Sequence, residues 1–411
     1  MLYADALALL SESAKANPLS VEQVDFSECL GRRVSRDLQA TLTIPPFDNS
    51  AVDGYCFSSD AVSSANQEKP IQLSIVGTLF PGDTPPSLTP PGWAWEIMTG
   101  APFPLDCDCS VKVEDTAANK NSSGQVTSVS IKASVASGDN VRKAGADFSP
   151  GTVVISRGEK IRPEHLMALA SNGIQTVEVF RKARVVIVPT GAELVPVGQR
   201  LEPGQIYNST QPYLVAALSA MGCQVEAKPI VRDEPEQFEL ILKELESNPP
   251  DLLITTGAVS MGKADFVRPS LEKAGARIAF HRVEIRPGKP ILFARFKKYS
   301  AFGLPGNPVS SVVGVRFFIE PYLRALMGVA SEKPVQAILD ADYKKPEALR
   351  CFLKAKYEPS EKTASVTVLN GQPSFMTKPL LQASSWAVVP EGLAQAAKGT
   401  VLHVYPQTSE F

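Results

Sequence analysis

PDLLITTGAVSMGKADFV, residues 250–267, runs a β-type segment, Leu252 to Thr255, straight into a turn that holds Gly257, Ser260, Gly262 and Asp265. Two related stretches follow it. VEIRPGKPILF, residues 283–293, sets Arg286 and Lys289 on either side of a Pro-Gly pair. AFGLPGNPVSS, residues 301–311, passes through Gly306 and Asn307 into a helix entered at Pro308, with Ser310 in its first turn. In an open parallel sheet the loops at the carboxyl ends of strands line the ligand crevice. A carboxylate, two cations and a helix start, where unpaired N–H groups and the dipole favour negative charge, describe an anion site.

Outward from that stretch the pattern is strand–helix alternation. ARVVIVPTG, residues 183–191, and CQVEAKPIV, residues 223–231, read as strands, with helices expected over 210–221 and from 234 onward. Such alternation implies βαβ units and a parallel sheet. Glu193 and Asp233 then lie beyond the ends of two strands, as Asp265 lies beyond a third. The loop around Gly257 suits close backbone approach by phosphate oxygens. Mg²⁺ is commonly held by one or two carboxylates together with substrate phosphates, which a sparse set of acids can provide. The last helix is expected to run from Val309 to Met327 with a kink at Pro321.

The flanking regions divide the chain into four parts. An amphipathic helix opens residues 1–43, and RPEHLMALASNG, residues 162–173, starts with Pro163 and stops at Gly173, so 1–43 and 142–180 are expected to form one helical linking domain. Residues 44–141, with alternating apolar positions and an exposed hairpin tip at 119–125, read as an inserted β domain. Residues 181–328 are the α/β domain, and 329–411 return to short strands, as in a small barrel or sandwich.

Composition narrows the function. Hydrophobic residues at 44% and charged residues at 20% of 411 are ordinary for a soluble protein, and a net charge of −2 argues against binding nucleic acid by bulk charge. The N-terminal run carries acids among its apolar residues and fits a helix better than a signal peptide, and no apolar stretch is long enough to span a bilayer. Six mostly scattered cysteines suggest a reducing cytoplasm. The close pair, Cys107 and Cys109, is expected to share one strand face. His165, His281 and His403 are isolated, and no Ser-His-Asp set, Walker loop or Rossmann fingerprint is present. Electrostatic positioning of a phosphate-bearing substrate is favoured over covalent catalysis.

Assembled in order, PPFDNSAVDGY, MTGAPFP, VRKAGADF, TGAELV, TTGAVSMGKADFV, RPGKP and GLPGNPVS resemble the molybdopterin molybdenumtransferase family, of MoeA and gephyrin E-domain type, over nearly the whole length. The resemblance implies Mg²⁺-assisted insertion of molybdenum, from molybdate, into adenylylated molybdopterin with release of AMP. It implies an elongated cytoplasmic homodimer whose cleft takes the α/β domain from one subunit and the PPFDNSAVDGY-bearing domain from the other. It also suggests a molybdopterin adenylyltransferase and recipient molybdoenzymes or their chaperones as partners, with no nucleic acid and no membrane. By motif the resemblance carries over Asp53, Thr99, Asp147, Glu193, Asp233, Asp265 and Lys289 as catalytic candidates. Glu193 and Asp265 are assigned to Mg²⁺, and Gly257, Ser260, Gly262, Arg286, Gly306, Asn307, Pro308 and Ser310 to substrate binding. Ala192, Ala258, Lys263 and Arg286 depart from the commoner family pattern. A related adenylyltransferase would lack the PPFDNSAVDGY and C-terminal β domains, and a purely scaffolding role would leave the retained acids and Lys289 without a task.

Overall fold

The computed structural model describes residues 1–232, 234–259, 265–361 and 363–408. The chain separates into two compact units, Met1–Arg36 with Arg157–Ile161 and Val177–Phe411, and Asp37–Ser156 with Arg162–Thr176.

The first unit is built on a six-stranded sheet. Its strands are β1 (Arg184–Pro189), β2 (Gln224–Ala227), β3 (Leu252–Thr256), β4 (Arg277–His281), β5 (Leu292–Arg295) and β6 (Ser300–Leu304), in the order β2-β1-β3-β6-β5-β4. Strands β2, β1, β3 and β6 are mutually parallel, as the alternation predicts, and β5 runs against both of its neighbours. That reversal settles where RPGKP lies. It lies between the carboxyl end of β4, which runs with β1, β3 and β6, and the start of the antiparallel β5, and so sits at the edge at which β1, β3 and β6 leave.

The apolar runs of β1 and β3 are continuous because helices cover both faces. Val185, Ile187, Leu252 and Ile254 share one core with α1 (Tyr3–Ala16) and α2 (Thr210–Ala220). Val186, Val188 and Leu253 share the other with α3 (Pro235–Ser247) and α4 (Val267–Lys273). In α1 the buried Ala6, Leu10 and Ala14 repeat every four residues and so form one face. The expected long helix begins as α5 (Pro308–Gly314), widens into a π segment over Val315–Ile319, and resumes as α6 (Glu320–Leu326). Proline has no N–H and its ring crowds the carbonyl four residues back. The helix meets this by a local change of register just before Pro321, where Glu320 N–H bonds Val315 O. Within this turn Arg316 and Arg324 both pair with Glu320, which is 1% exposed.

The C-terminal strands close into a barrel. β7 (Val335–Leu339), β8 (Arg350–Glu358), β9 (Ser365–Val368), β10 (Ser385–Val389) and β11 (Val401–Pro406) connect in the cycle β7-β11-β10-β8-β9 and back to β7. Closure leaves no free edge among them. On the outer face of β8, opposite Leu353 and Ala355 of the barrel core, lies Lys354, 1% exposed, whose ammonium donates to the carbonyls of Gly371 at 2.6 Å, Pro373 at 3.3 Å and Met376 at 3.0 Å. A buried cation is tolerated when its protons are satisfied, and here they fix the 371–376 loop. The short strand Ile285–Arg286 adds in parallel to β8, so the barrel supports the start of RPGKP.

The second unit holds another six-stranded sheet, in the order Cys109–Lys112, Gly54–Phe57, Trp93–Ile97, Ile71–Leu79, Val126–Ile131, Thr116–Lys120. The last two strands form the expected hairpin, whose tip is organised by the Asn121 side chain accepting from Ser123 and Gln125 N–H. Helix Pro163–Ser171 is capped by His165, whose Nδ1 accepts from Arg162 N–H at 3.2 Å, which gives that histidine a structural task. The cysteine expectation fails. Cys109 sits in a strand, but Cys107 lies in the preceding loop, and each packs in a different hydrophobic cluster.

Candidate active site

Three glycine turns mark the carboxyl edge of the first unit's sheet. Gly191 follows β1, Gly257 follows β3 and Gly306 follows β6. Gly257 has φ +88, its N–H donates to Leu304 O at 3.0 Å, and a Cβ there would collide with the carbonyl oxygen of Thr190. Thr190 in turn ties β1 to β3, since its N–H and hydroxyl both donate to Thr256 O, at 2.8 and 3.0 Å. Gly306 lies against Gly257, where a Cβ would be 3.8 Å from the Gly257 Cα. A floor of bare backbone results, and such surfaces admit phosphate oxygens closely.

One carboxylate lies on this floor, and the other charged motif residues stand in the turns that lead to and from it. The Glu193 carboxylate folds over Gly191, where a Cβ would sit 2.7 Å from Oε2. Asp265, half-buried, closes the loop ahead of α4. Asp233, Ser260, Gly262 and Lys263 fall outside the described residues. On the other side, the RPGKP turn packs on the helix start: Gly288, at φ +98, would place a Cβ 3.6 Å from Ser310 O and 4.0 Å from Val313 Cγ1. Arg286 is exposed, and the Lys289 ammonium donates to the Glu284 carboxylate at 3.1 Å. That pair is 47% and 32% exposed, so it is a weak, easily exchanged contact.

Not every amide of the GNPVS turn remains open. Val309 N–H donates to Ser374 O, on the loop fixed by Lys354, at 3.0 Å, and Ser310 and Ser311 N–H both reach Asn307 O. Among the described residues, nothing accepts from Gly306 or Asn307 N–H. The donor set around the floor is hard oxygen and backbone amide. Among the described residues no three His, Cys, Asp or Glu side chains group as a ready-made metal cage. Glu193 and Asp265 are carboxylates, the donor type that Mg²⁺ takes together with substrate phosphates and water.

The second unit gathers its own motifs. Residues Asn49 and Ser50 of PPFDNSAVDGY pair with Arg142 and Val141, and Ser50 exchanges backbone bonds with Gly100 and Ala101 of MTGAPFP. Asp53 Oδ1 accepts from Thr99 N–H and Oγ1, both at 2.7 Å, which holds the Asp53 carboxyl below the usual aspartate range. Asp147, exposed, is fixed through its own N–H to Ile44 O. Asp48 accepts from the Lys143 ammonium and from Ala144 N–H, each at 2.8 Å, and Lys143 is the main cause of its lowered pKa. A carboxyl lowered in the folded state stabilises above its unfolded pKa, and this is lost as pH falls through the folded value. Asp48→Asn is thus expected to flatten the acid limb of the second unit's unfolding, followed by the fluorescence of Trp93 and Trp95.

A molybdopterin molybdenumtransferase of Synechococcus elongatus is 38% identical to this chain over 406 residues, covering 98% of each. The chain belongs to the molybdopterin molybdenumtransferase family. Residues 1–173 match the MoeA N-terminal region (domain I and II), and residues 186–325 match the probable molybdopterin binding domain. Molybdopterin molybdenumtransferase 2 of Mycobacterium tuberculosis is 33% identical, over 94% of this chain and 95% of its own. The crystal structure of a molybdopterin biosynthesis MoeA protein from Pyrococcus horikoshii superposes with a TM-score of 0.83 at 26% identity, covering 100% of this chain and 99% of that one. Like the curated relatives, this molybdopterin molybdenumtransferase family member is a transferase of molybdenum cofactor biosynthesis. Among its described residues no helix is long and apolar enough to cross a membrane.

The departures from the family pattern now have places. Ala192 is exposed beside Gly191, and Lys263 is outside the described residues. Ala258 keeps φ at +48, a left-handed conformation that strains any residue with a Cβ. Ala258→Gly is therefore expected to raise stability by about 1 kcal/mol, read as a higher melting temperature. Sequence reading passed over Thr190, Glu284 and Ser374. The hydroxyl at the end of β1 was the signal for the first, and an acid five residues before Lys289 for the second. Nothing local marks Ser374, which meets Val309 across 65 residues of chain.

Proposed function

We propose that this chain inserts molybdenum from molybdate into adenylylated molybdopterin, with Mg²⁺ bound beside the substrate phosphates and AMP released. Water adds across the phosphoanhydride so that AMP departs, and the two dithiolene sulfurs displace two molybdate oxygens, which leave as water with the thiol protons and protons from solvent. The observation that carries this reading is the convergence of the Gly191, Gly257 and Gly306 turns with Glu193 on one side and the RPGKP cations on the other.

Each group then has a task. Gly306 and Asn307 N–H would hold phosphate oxygens, and Gly257 keeps the floor clear of side chains. Arg286 and Lys289 would offset the charge of molybdate and of the departing phosphate, where charge-assisted hydrogen bonds are strong. Arg286 supplies a planar fork where many relatives place a point charge. Glu193 and Asp265 would hold Mg²⁺, which when bound neutralises phosphate charge. Substrate phosphate competes with Glu284 for Lys289, and the exposure of that pair makes the exchange inexpensive. We read Asp53, Thr99 and Asp147 as groups delivered by a second copy of the chain in a cytoplasmic homodimer, with Asp233 completing the acid set. The adenylyltransferase that makes the substrate and the molybdoenzymes that take the product are the expected partners.

Lys289→Met tests the anion assignment. It is expected to raise the KM for molybdate by roughly tenfold or more, the loss of one charge-assisted bond, while the melting temperature stays unchanged. An unaltered molybdate dependence would remove Lys289 from the site.

A further inference from the structure

A cavity of about 400 Å³ opens beside the start of α5, within the first unit. The α/β domain provides one wall through Tyr213, Pro308 and Val312, and the barrel provides the other through Leu380 and Leu381. No charged side chain lines it. Its polar groups are few and uncommitted. Thr210 is only 7% exposed, yet its hydroxyl has no hydrogen-bond partner among the described residues. The Ser209, Thr377 and Thr408 hydroxyls share that condition. Gln407 donates its Nε2 to Leu380 O at 2.7 Å, which leaves the amide oxygen as an acceptor. Leu381, 88% exposed, keeps an apolar side chain at the rim without any neighbour to cover it.

Apolar walls with a small number of convergent donors and acceptors are the composition of a small-molecule pocket. With no charged side chain and mostly apolar walls, the cavity favours a neutral group over an ion. A flat neutral ring fits: its faces bury against Tyr213, Pro308 and leucine, and its edge offers both donors and acceptors. Position adds to this. Pro308 lines the cavity and follows directly on Gly306 and Asn307, whose N–H groups no described residue accepts from.

We propose that this cavity seats the planar nitrogen heterocycle of a phosphate-bearing substrate, with barrel residues 377–381 as its outer wall. The inference rests on the proposed molybdenum transfer for the identity of that substrate, whose two heterocycles are adenine and a pterin. It gives the C-terminal barrel a recognition task. Lys354 acts behind it as a positioning residue, because the 371–376 loop it holds leads directly into Thr377.

The test measures binding without turnover, using AMP and neopterin monophosphate as probes by calorimetry on the full chain. Ser209, exposed at the rim, is replaced by Trp to fill the cavity, and Thr210 by Val to remove only the buried hydroxyl. One probe is expected to bind the wild type and to lose roughly tenfold affinity with Ser209→Trp and roughly fivefold with Thr210→Val. Loss confined to AMP assigns the adenine ring, and loss confined to neopterin monophosphate assigns the pterin. Affinity for both probes unchanged in both variants overturns the proposal, as does failure of both probes to bind the wild type at millimolar concentration. Molybdenum transfer measured in parallel separates the two readings. A wild type whose cavity binds a ring but which transfers no molybdenum contradicts the reaction and not the subsite.

Discussion

Asp265→Ala is expected to cut molybdate-dependent AMP release by roughly 100-fold or more, the usual result of removing one electrostatic contact at a reacting phosphate. Asp265 closes the loop that leaves β3 and stands ahead of α4, where Phe266, not Asp265, occupies the cap position with no side-chain cap bond. The melting curve of the variant, recorded beside its activity, separates loss of the reaction from loss of the fold. If Asp265 holds Mg²⁺, raising the Mg²⁺ concentration should restore part of the activity. A variant that saturates at the same Mg²⁺ concentration as the wild type would assign that ion to other groups.

Gly257→Ala has a comparably large expected effect, on stability as well as activity. Two separate costs add at this position. The φ of +88 is one that a residue with a Cβ adopts at roughly 1–2 kcal/mol. The new Cβ would also meet the Thr190 carbonyl, and overpacking of that kind costs about 1–3 kcal/mol. The sum, roughly 2–5 kcal/mol, is a large part of a domain's margin. The urea midpoint of the first unit should drop accordingly. Relief by spreading β1 from β3 would move Glu193 and Gly191, so activity should fall even under conditions where the variant remains folded. Gly257→Ala with a wild-type midpoint would mean that the Thr190–Gly257 approach is looser than described.

The contrast between these two positions shows what the sequence discloses. Gly257 was legible because a β-type run ending in glycine is a local signal, and the strands themselves were legible because VVIV and LLIT are buried on both faces. The reversal of β5 was not legible, since LFAR reads the same in either direction and only pairing with β6 and β4 fixes its sense. Pro321 announced a break in the last helix, but the form of the break, a π segment at 315–319, depends on the packing of Phe317 and Phe318 in the core. Cys107 and Cys109 misled because two-residue spacing implies a shared face only inside a strand. The site shows the same division. The acids and cations stood out in their motifs. The amides still able to bind an anion could be identified only once Ser374 was found on Val309, a contact made by a barrel loop that Lys354 holds in place.

AMP release from adenylylated molybdopterin, with molybdate and Mg²⁺ each supplied or withheld, tests the central claim most directly. The account predicts rapid release only when both are present, with one molybdenum retained by the pterin for each AMP formed. Release that proceeds equally without molybdate, or none at all from a folded protein that binds the pterin, would contradict it.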